Sequence, residues 1–390
     1  MNRLVIIGNG FDLAHGLKTG YADFIRNYWE KVKRLNHKDE LTQLSLDSDF
    51  KWQKFDSFRG LIKQIRSQPN YSFNQSSWYG SNFGSVSFEN KLFHKLCEIN
   101  DEVNWVDIEV FYYNELKDLF LKSLKETTSK SENLKKIKEL NNNLSRIINR
   151  FNSYPEESVV PLIKSKISSE FAVLLENRIY ESIFETFKSE FAAKYESRLA
   201  MQYFTKERWY DNAAIKRYSN TQILNFNYTN TISNYLNFTN GDVELVNIHG
   251  QVGSIMHPIN MGFGDEVDKF YKDIENSGEN EYLRFVKSFY YSNNNHYKRL
   301  LDFIEKDDFQ CHIMGHSCGL SDRTLLKTIF EHPKCLSIKP YYYVYKEENE
   351  WHEKDNYLEI VKNISRHFDD KKMMRERVVN KEYCQPLPQI

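Results

Sequence analysis

The sequence predicts an α/β fold: a parallel sheet interrupted by a large helical insertion. Three observations carry it. Leu4 to Ile7 is a β-branched-rich apolar run that passes straight into Gly8-Asn9-Gly10. Beyond about Thr221, short apolar runs alternate with helical patterns, the signature of a parallel sheet. Between the two, Lys91 to about Ala200 reads mainly as helix, so the first strand must find its neighbours beyond residue 220. The expected division is a core of residues 1–30 plus 215–350, a mainly helical insertion over 31–214, and a C-terminal helix and tail over 351–390.

The elements follow in order. Glycine after the first strand lets the backbone approach a phosphate, and a following helix points free N–H groups at the anion. Thr19 reads as the cap of the next helix, with Asp23 in its first turn. Tyr21, Phe24, Ile25, Tyr28, Trp29 and Val32 recur there at helical spacing. Ser67 to Ser87 is rich in Ser, Asn, Gly and aromatics and reads as a long loop, of the kind that forms lids. Asn114 to Arg150 reads as a lysine-rich helix or hairpin, with nine basic and four acidic residues from Lys117 to Arg150. A solvated face is the plain reading, and a partner- or nucleic-acid-binding arm the other. Pro155 is expected to end it, and another helical stretch runs through Ser168 to Ala200. Strands are expected at Ile223–Asn227, Val243–Ile248 and Gln310–Met314. Ser321 then caps a helix with Asp322 in its first turn and Leu325, Leu326, Ile329 and Phe330 on its apolar face. Tyr341 to Tyr345, after Pro340, is the last expected strand.

Composition narrows the function classes. The 390 residues carry 53 basic and 54 acidic side chains, a net charge of −1, which argues against a dedicated nucleic-acid binder. Hydrophobic residues make up 40%, enough for a sizeable core. Cys97, Cys311, Cys318, Cys335 and Cys384 form no CxxC pair, so no zinc ribbon or other metal site is expected. Scattered thiols fit a reducing cytoplasm. The N-terminal apolar run is too short for a signal peptide, and no stretch suits a membrane span.

Four motifs stand at the ends of expected strands: Gly8-Asn9-Gly10-Phe11-Asp12, Asn225-Phe226-Asn227-Tyr228-Thr229, Asn247-Ile248-His249-Gly250 and Gly315-His316-Ser317. Open α/β sheets bind ligands outside the carboxyl ends of their strands, so parallel strands would bring all four together. Trp105-Val106-Asp107-Ile108-Glu109 adds two acids that would not share a helix face, with Glu109 read as site-facing and Asp107 as surface.

As a set these residues resemble the sirtuin superfamily, NAD-consuming proteins with a Rossmann-like core. The opening turn is similar to that superfamily's GAG-x-S motif, His15-Gly16-Leu17 to its Ser-Gly-Ile step, and Asn225-Phe226-Asn227 to its TxN motif. Ile248-His249-Gly250 resembles its catalytic Leu-His-Gly, and Phe263-Gly264-Asp265 its Phe-Gly-Glu stretch. Gly315-His316-Ser317 with Ser321-Asp322 resembles its late Gly-x-Ser turn. More closely, IIGNGFDLAHGL, LNFNYTN and GHSCGLSD make the chain similar to the AbiH family of phage abortive-infection proteins, from Met1 into the region of Met374–Arg377. Asp12 departs from the sirtuin pattern, which has a small hydroxyl residue there, and the deacetylases' zinc ribbon is absent.

The resemblance implies a cytoplasmic antiphage effector that hydrolyses NAD to nicotinamide and ADP-ribose. His249 would be the base, because neutral imidazole is available near pH 7. Asn227 would orient the ribose or the water, and Asp12 would stand by the ribose or phosphates. Gly8, Asn9, Gly10, Phe11, His15, Gly315, Ser317 and Asp322 would line the NAD site. The expected partners are NAD, a phage-derived trigger or cognate regulator, and a second copy of the chain, with no membrane. Each residue has a plainer reading. The glycines suit a tight turn, Asp12 a cap, His15 and His316 packing, Asn227 an Asx-turn, and His249 a hydrogen-bonded strand end. Gly-His-Ser-Cys-Gly also has the spacing of a hydrolase elbow, with Asp322, His332, His352 and His367 downstream. Two other functions stay open: a non-catalytic NAD or ADP-ribose sensor, and a nucleic-acid-directed effector using the lysine-rich helices.

Overall fold

Leu4 to Ile7 has no polar break because both of its faces are covered. In the computed structural model, strand β1 (Asn2–Ile7) is buried at every position and lies in the middle of a five-stranded parallel sheet. The structure describes residues 1–32, 36–46, 58–67, 71–74, 77–80, 84–103, 108–125, 130–158, 168–179, 184–203, 215–238, 243–346 and 352–390. The other strands are β2 (Thr221–Asn225), β3 (Val243–Asn247), β4 (Phe309–Met314) and β5 (Cys335–Tyr341). Their order is β3-β2-β1-β4-β5. The chain steps outward from β1 to β3, then returns to the far side of β1, so the order reverses between β1 and β4. Register sets Ile7 beside Asn225 and Met314, and Asn225 beside Asn247, so the four strands end in one row.

Apolar side chains leave the sheet on both faces, as parallel strands require. Leu4, Ile6, Leu224, Val246, Cys311, Ile313 and Ile338 pack on one side with Leu300, Phe303, Leu325, Ile329, Ile360 and Ile364 from helices. Val5, Ile7, Ile223 and Met314 pack on the other with Phe11, Phe171, Ile232 and Tyr235. Residues 351–390 therefore contribute to the sheet's cover through two helices, Tyr357–Ser365 and Lys371–Arg377, more than a helix and tail would.

The insertion is not only helical. A second, antiparallel sheet has the order Asn36–Lys38, Thr42–Leu46, Gly84–Phe88, Ser77–Gly80, Tyr71–Asn74. This replaces the long loop expected over Ser67–Ser87, although residues 68–70, 75–76 and 81–83 lie outside the described ones. Ser and Gly alternate there with Trp78, Val86 and Phe88, which point into the core, and the polar composition hid that period of two. The helices α1 (Asn9–Ala14), α2 (Tyr21–Lys31), α3 (Ile108–Lys125) and α4 (Lys130–Ser158) follow in chain order. Phe24, Ile25, Tyr28 and Trp29 of α2 join Leu44, Leu61, Phe93, Tyr112, Leu140 and Ile147 in the insertion's core. Met261, Phe263 and Phe285 belong to that core too, which ties the insertion to the segment after β3.

Several expected boundaries move. The cap of α2 is Gly20, whose N–H donates to the Asp23 carboxylate, while Thr19 turns away to donate to Asn9. The lysine-rich stretch is split into α3 and α4, and α4 runs on past Pro155 to Ser158. The last strand of the parallel sheet is Cys335–Tyr341, upstream of the expected Tyr341–Tyr345. Proline is tolerated there because β5 is an edge strand. Val344–Tyr345 instead pairs with Lys354–Asp355. Asp322, not Ser321, is the cap residue of α5 (Arg323–Phe330), whose Leu325, Leu326, Ile329 and Phe330 are buried. Among the described residues, no helix is long and apolar enough to cross a membrane.

Candidate functional site

The four strand-end turns do meet at one edge of the sheet. The first and last interlock. Gly10 N–H donates to Gly315 O at 2.8 Å, and Gly8 N–H to Met314 O at 3.1 Å. A Cβ on Gly8 would lie 2.5 Å from His316 Cα, and one on Gly315 (φ +72°) 2.1 Å from Phe11 N. These glycines let two turns touch each other. Phe11 points into the core beside Phe171 and Tyr235. His15 is buried with both ring nitrogens engaged, by Phe11 O at 2.7 Å and Tyr235 Oη at 2.6 Å, and stacks on Phe171. That leaves neither nitrogen for a cofactor. Asn9 accepts from Thr19 Oγ1 at 2.6 Å.

Asp12 is buried near the turn after β2. Thr229 donates to its Oδ2 at 2.5 Å, while Oδ1 is buried with no hydrogen bond. Burial pushes its pKa up to about 6 against the stabilising hydrogen bond of Thr229. The Asx-turn expected at Asn227 belongs to Asn225, whose side-chain oxygen accepts from Asn227 N–H at 3.1 Å. The amide of Asn225 donates to Thr229 O and Asn247 Oδ1, both at 3.0 Å, which locks the β2 and β3 ends together.

The concentrated chemistry lies around His249, which is 3% exposed. Its Nε2 is 3.2 Å from Asp322 Oδ1, within ion-pair distance but off hydrogen-bond alignment. Lys287 Nζ lies 2.7 Å from the same oxygen and 2.8 Å from Glu109 Oε2. His316 Nε2 is 3.6 Å from Asp322 Oδ2, and His316 Nδ1 accepts from Cys318 N–H at 3.0 Å. The Phe226 ring contacts both imidazoles, with centroids 4.9 Å from His249 and 4.3 Å from His316. His249 thus reaches from the β3 turn across the ends of β2 and β1 to the β4 turn.

Charges in this cluster are fixed by burial and by each other. Burial, then the positive charge of Lys287, brings the His249 pKa down to about 4, against the opposing pull of Asp322. Burial alone would raise Asp322, but Lys287 and His249 hold it well below the usual carboxylate range. Burial alone would lower Lys287, yet Asp322 and Glu109 keep it above the usual lysine range. At neutral pH the site therefore holds a neutral imidazole, one ammonium and ionised Asp322.

Sequence reasoning placed His249, Asp322 and the inward-facing Glu109. Asp107 lies outside the described residues. It missed Lys287 and set His316 aside. Lys287 stands in the run Phe285-Val286-Lys287-Ser288-Phe289-Tyr290-Tyr291, where a lone cation among apolar residues was the available signal. Ser317 is exposed, and its carbonyl accepts from Asn363. The hydrolase-elbow alternative loses its geometry, because the non-glycine residue with positive φ is Cys318 (φ 54°), not Ser317, and His367 Nε2 faces Cys318 O at 2.8 Å. Among the described residues, no group of three or more His, Cys, Asp and Glu side chains could hold a metal ion.

The fold and site define a mixed α/β protein with a parallel central sheet and a buried ionised cluster on its carboxyl edge. The chain belongs to the AbiH family, described as bacteriophage abortive infection AbiH, whose family model matches residues 4–345. That membership suggests a role in phage abortive infection. No curated protein and no solved structure matches the chain.

Proposed function

We propose that this protein is an abortive-infection effector that hydrolyses NAD to nicotinamide and ADP-ribose at the carboxyl edge of its parallel sheet. The observation that carries the reading is His249, neutral and buried, set 3.2 Å from ionised Asp322 where the turns of β3 and β4 meet. Two further points support it. The strand order β3-β2-β1-β4-β5 supports a Rossmann-like reading and reverses beside β1, where Rossmann sheets bind dinucleotides. The motifs of the turns are also similar to those of sirtuins.

The chemistry asks little of the protein. Nicotinamide leaves with the electron pair of its bond to ribose, through an oxocarbenium-like state. Water adds to the sugar carbon, and its proton passes to His249. With Nε2 turned to Asp322, Nδ1 is the nitrogen left to take that proton, and the carboxylate steadies the imidazolium that forms. Asn227 and the free Oδ1 of Asp12 would bind ribose hydroxyls. The diphosphate is not assigned to the Gly8–Gly10 turn, because its Gly10 amide is spent on Gly315.

The near-complete burial of His249 favours one second reading, a sensor that binds NAD or ADP-ribose and acts through a partner. The nucleic-acid reading has less support. Lys136 and Lys91 of the helical insertion are exposed and pair with Glu132 and Glu139, as a solvated face would. The test is incubation of the purified protein with NAD, following nicotinamide and ADP-ribose by mass spectrometry. His249→Ala is expected to lose about 10²–10⁴-fold in rate, and Asn227→Ala to be impaired. An undiminished rate in His249→Ala would remove it from the mechanism. Binding without turnover in the parent would favour the sensor.

A further inference from the structure

Glu109 is the acid that does not belong to the sheet. It stands in the first turn of α3, inside the insertion, yet its carboxylate reaches the site. One oxygen accepts from Gly262 N–H at 3.1 Å and the other meets Lys287 Nζ at 2.8 Å. Lys287 is 1% exposed and held along its whole length. Its N–H donates to Phe263 O at 3.0 Å, and its carbonyl accepts from Asn260 at 3.3 Å. Its stem runs past Gly264, where a Cβ would come within 3.4 Å of Lys287 Cβ and 2.9 Å of Ser321 O. A lysine so built in is not a surface group that strayed inward. Its ammonium shares one oxygen of Asp322 with His249.

We infer that Lys287, anchored by Glu109, is a positioning residue that sets how strongly Asp322 acts on His249, so that the helical insertion completes the site. This rests on the reading of His249 as the base. The argument is one of shared charge. Lys287 divides its attraction between two carboxylates, which leaves part of Asp322 for the imidazole. Without the negative charge of Glu109, the ammonium would answer to Asp322 alone and draw it from His249. Without Lys287, Asp322 would act on His249 undiluted and favour the imidazolium. The other groups around the cluster are His316, which faces Asp322 Oδ2, and the buried Tyr291, whose ionisation Asp322 and Glu109 oppose after burial itself. Both stay in place in every variant compared. The insertion need not leave the site to silence it, because a shift of α3 that parts Glu109 from Lys287 would suffice.

The experiment is an NMR titration of the His249 imidazole in the full chain, assigned by its loss in His249→Gln. It compares the parent with Glu109→Gln and with the double variant Glu109→Gln/Lys287→Met. Glutamine at 109 keeps an acceptor for Gly262. The double variant replaces a buried ion pair by neutral groups of similar size. Its His249 midpoint is expected to rise by about one pH unit or more, a tenfold change in proton affinity. Glu109→Gln alone is expected to move the midpoint the other way. Should the double variant not fold, Lys287→Gln, which keeps a donor between the carboxylates, carries the same expected rise. Midpoints unchanged in folded variants, or moved in one direction by both changes, would overturn the inference, since a merely structural ion pair would lower stability alone. The readout needs no turnover. A shifted titration in a protein that does not cleave NAD would keep the clamp and discard the hydrolase.

Discussion

Replacing Gly315 by alanine tests how tightly the two turns interlock. Two costs fall on that residue. An L side chain at φ +72° costs about 1–2 kcal/mol. The new Cβ would also lie 2.1 Å from Phe11 N and 2.5 Å from Gly10 C, both backbone atoms that no rotamer change can move. The β1 and β4 turns must part, straining the 2.8 Å bond from Gly10 N–H to Gly315 O and the 3.1 Å bond from Gly8 N–H to Met314 O. At about 0.5–1.5 kcal/mol each, their loss brings the expected total to about 2–5 kcal/mol. Gly278 supplies the control. Its φ is +70°, yet a Cβ there would meet nothing within 4 Å, so Gly278→Ala carries the conformational cost alone, about 1–2 kcal/mol. The entropy that alanine removes from the unfolded chain is the same for both and cancels. Urea unfolding followed by tryptophan fluorescence gives the midpoints. A Gly315→Ala midpoint equal to that of Gly278→Ala would refute the close approach.

Two further outcomes follow from the buried charges. Asp12 has its pKa raised by burial to about 6, so folding favours its protonated form. That contribution is complete below the unfolded value near 4 and is lost as pH rises through 6. Above it the buried carboxylate costs about 3 kcal/mol. Asp12→Asn should therefore stabilise the protein by about 3 kcal/mol at pH 8 and by almost nothing at pH 4, read from urea midpoints at the two values; an equal effect at both would contradict it. Asp322→Asn strips Lys287 of one of its two carboxylates. The expected loss is about 3 kcal/mol, at the low end for breaking a buried pair because Glu109 remains. Thermal unfolding checks this, and an unchanged melting temperature would deny that the pair is buried and ionised.

The parts of the fold that were legible are those where burial dictates composition. Leu4–Ile7, Ile223–Leu224 and Gln310–Met314 read as strands because a parallel strand covered on both faces needs an apolar run. Their ends pointed to the edge that holds the charge cluster, since polar residues gather where such strands stop. Thr42–Leu46 and Gly84–Phe88 were illegible because each covers the core on one face only, and serines and glycines fill the other. Lys287 was illegible for a different reason. A lone lysine among apolar residues hints at burial but not at its partners, and Glu109 lies 178 positions before it. His15 and Phe11 looked like ligand residues because they follow a glycine turn, but the short α1 turns them inward against Phe171 and Tyr235.

The central place of β1 has a consequence for synthesis. Both of its neighbours are made long after it: β2 begins at Thr221 and β4 at Phe309. At about 5–20 residues per second, roughly 15 to 60 seconds separate the first strand from its second neighbour. Through that interval Leu4, Val5, Ile6 and Ile7 have no sheet to enter, and pairings this distant in sequence form slowly. His249, Lys287 and Asp322 also come from the last half of the chain. An unfinished chain therefore carries neither the complete sheet nor the charge cluster until Cys335–Tyr341 has been made.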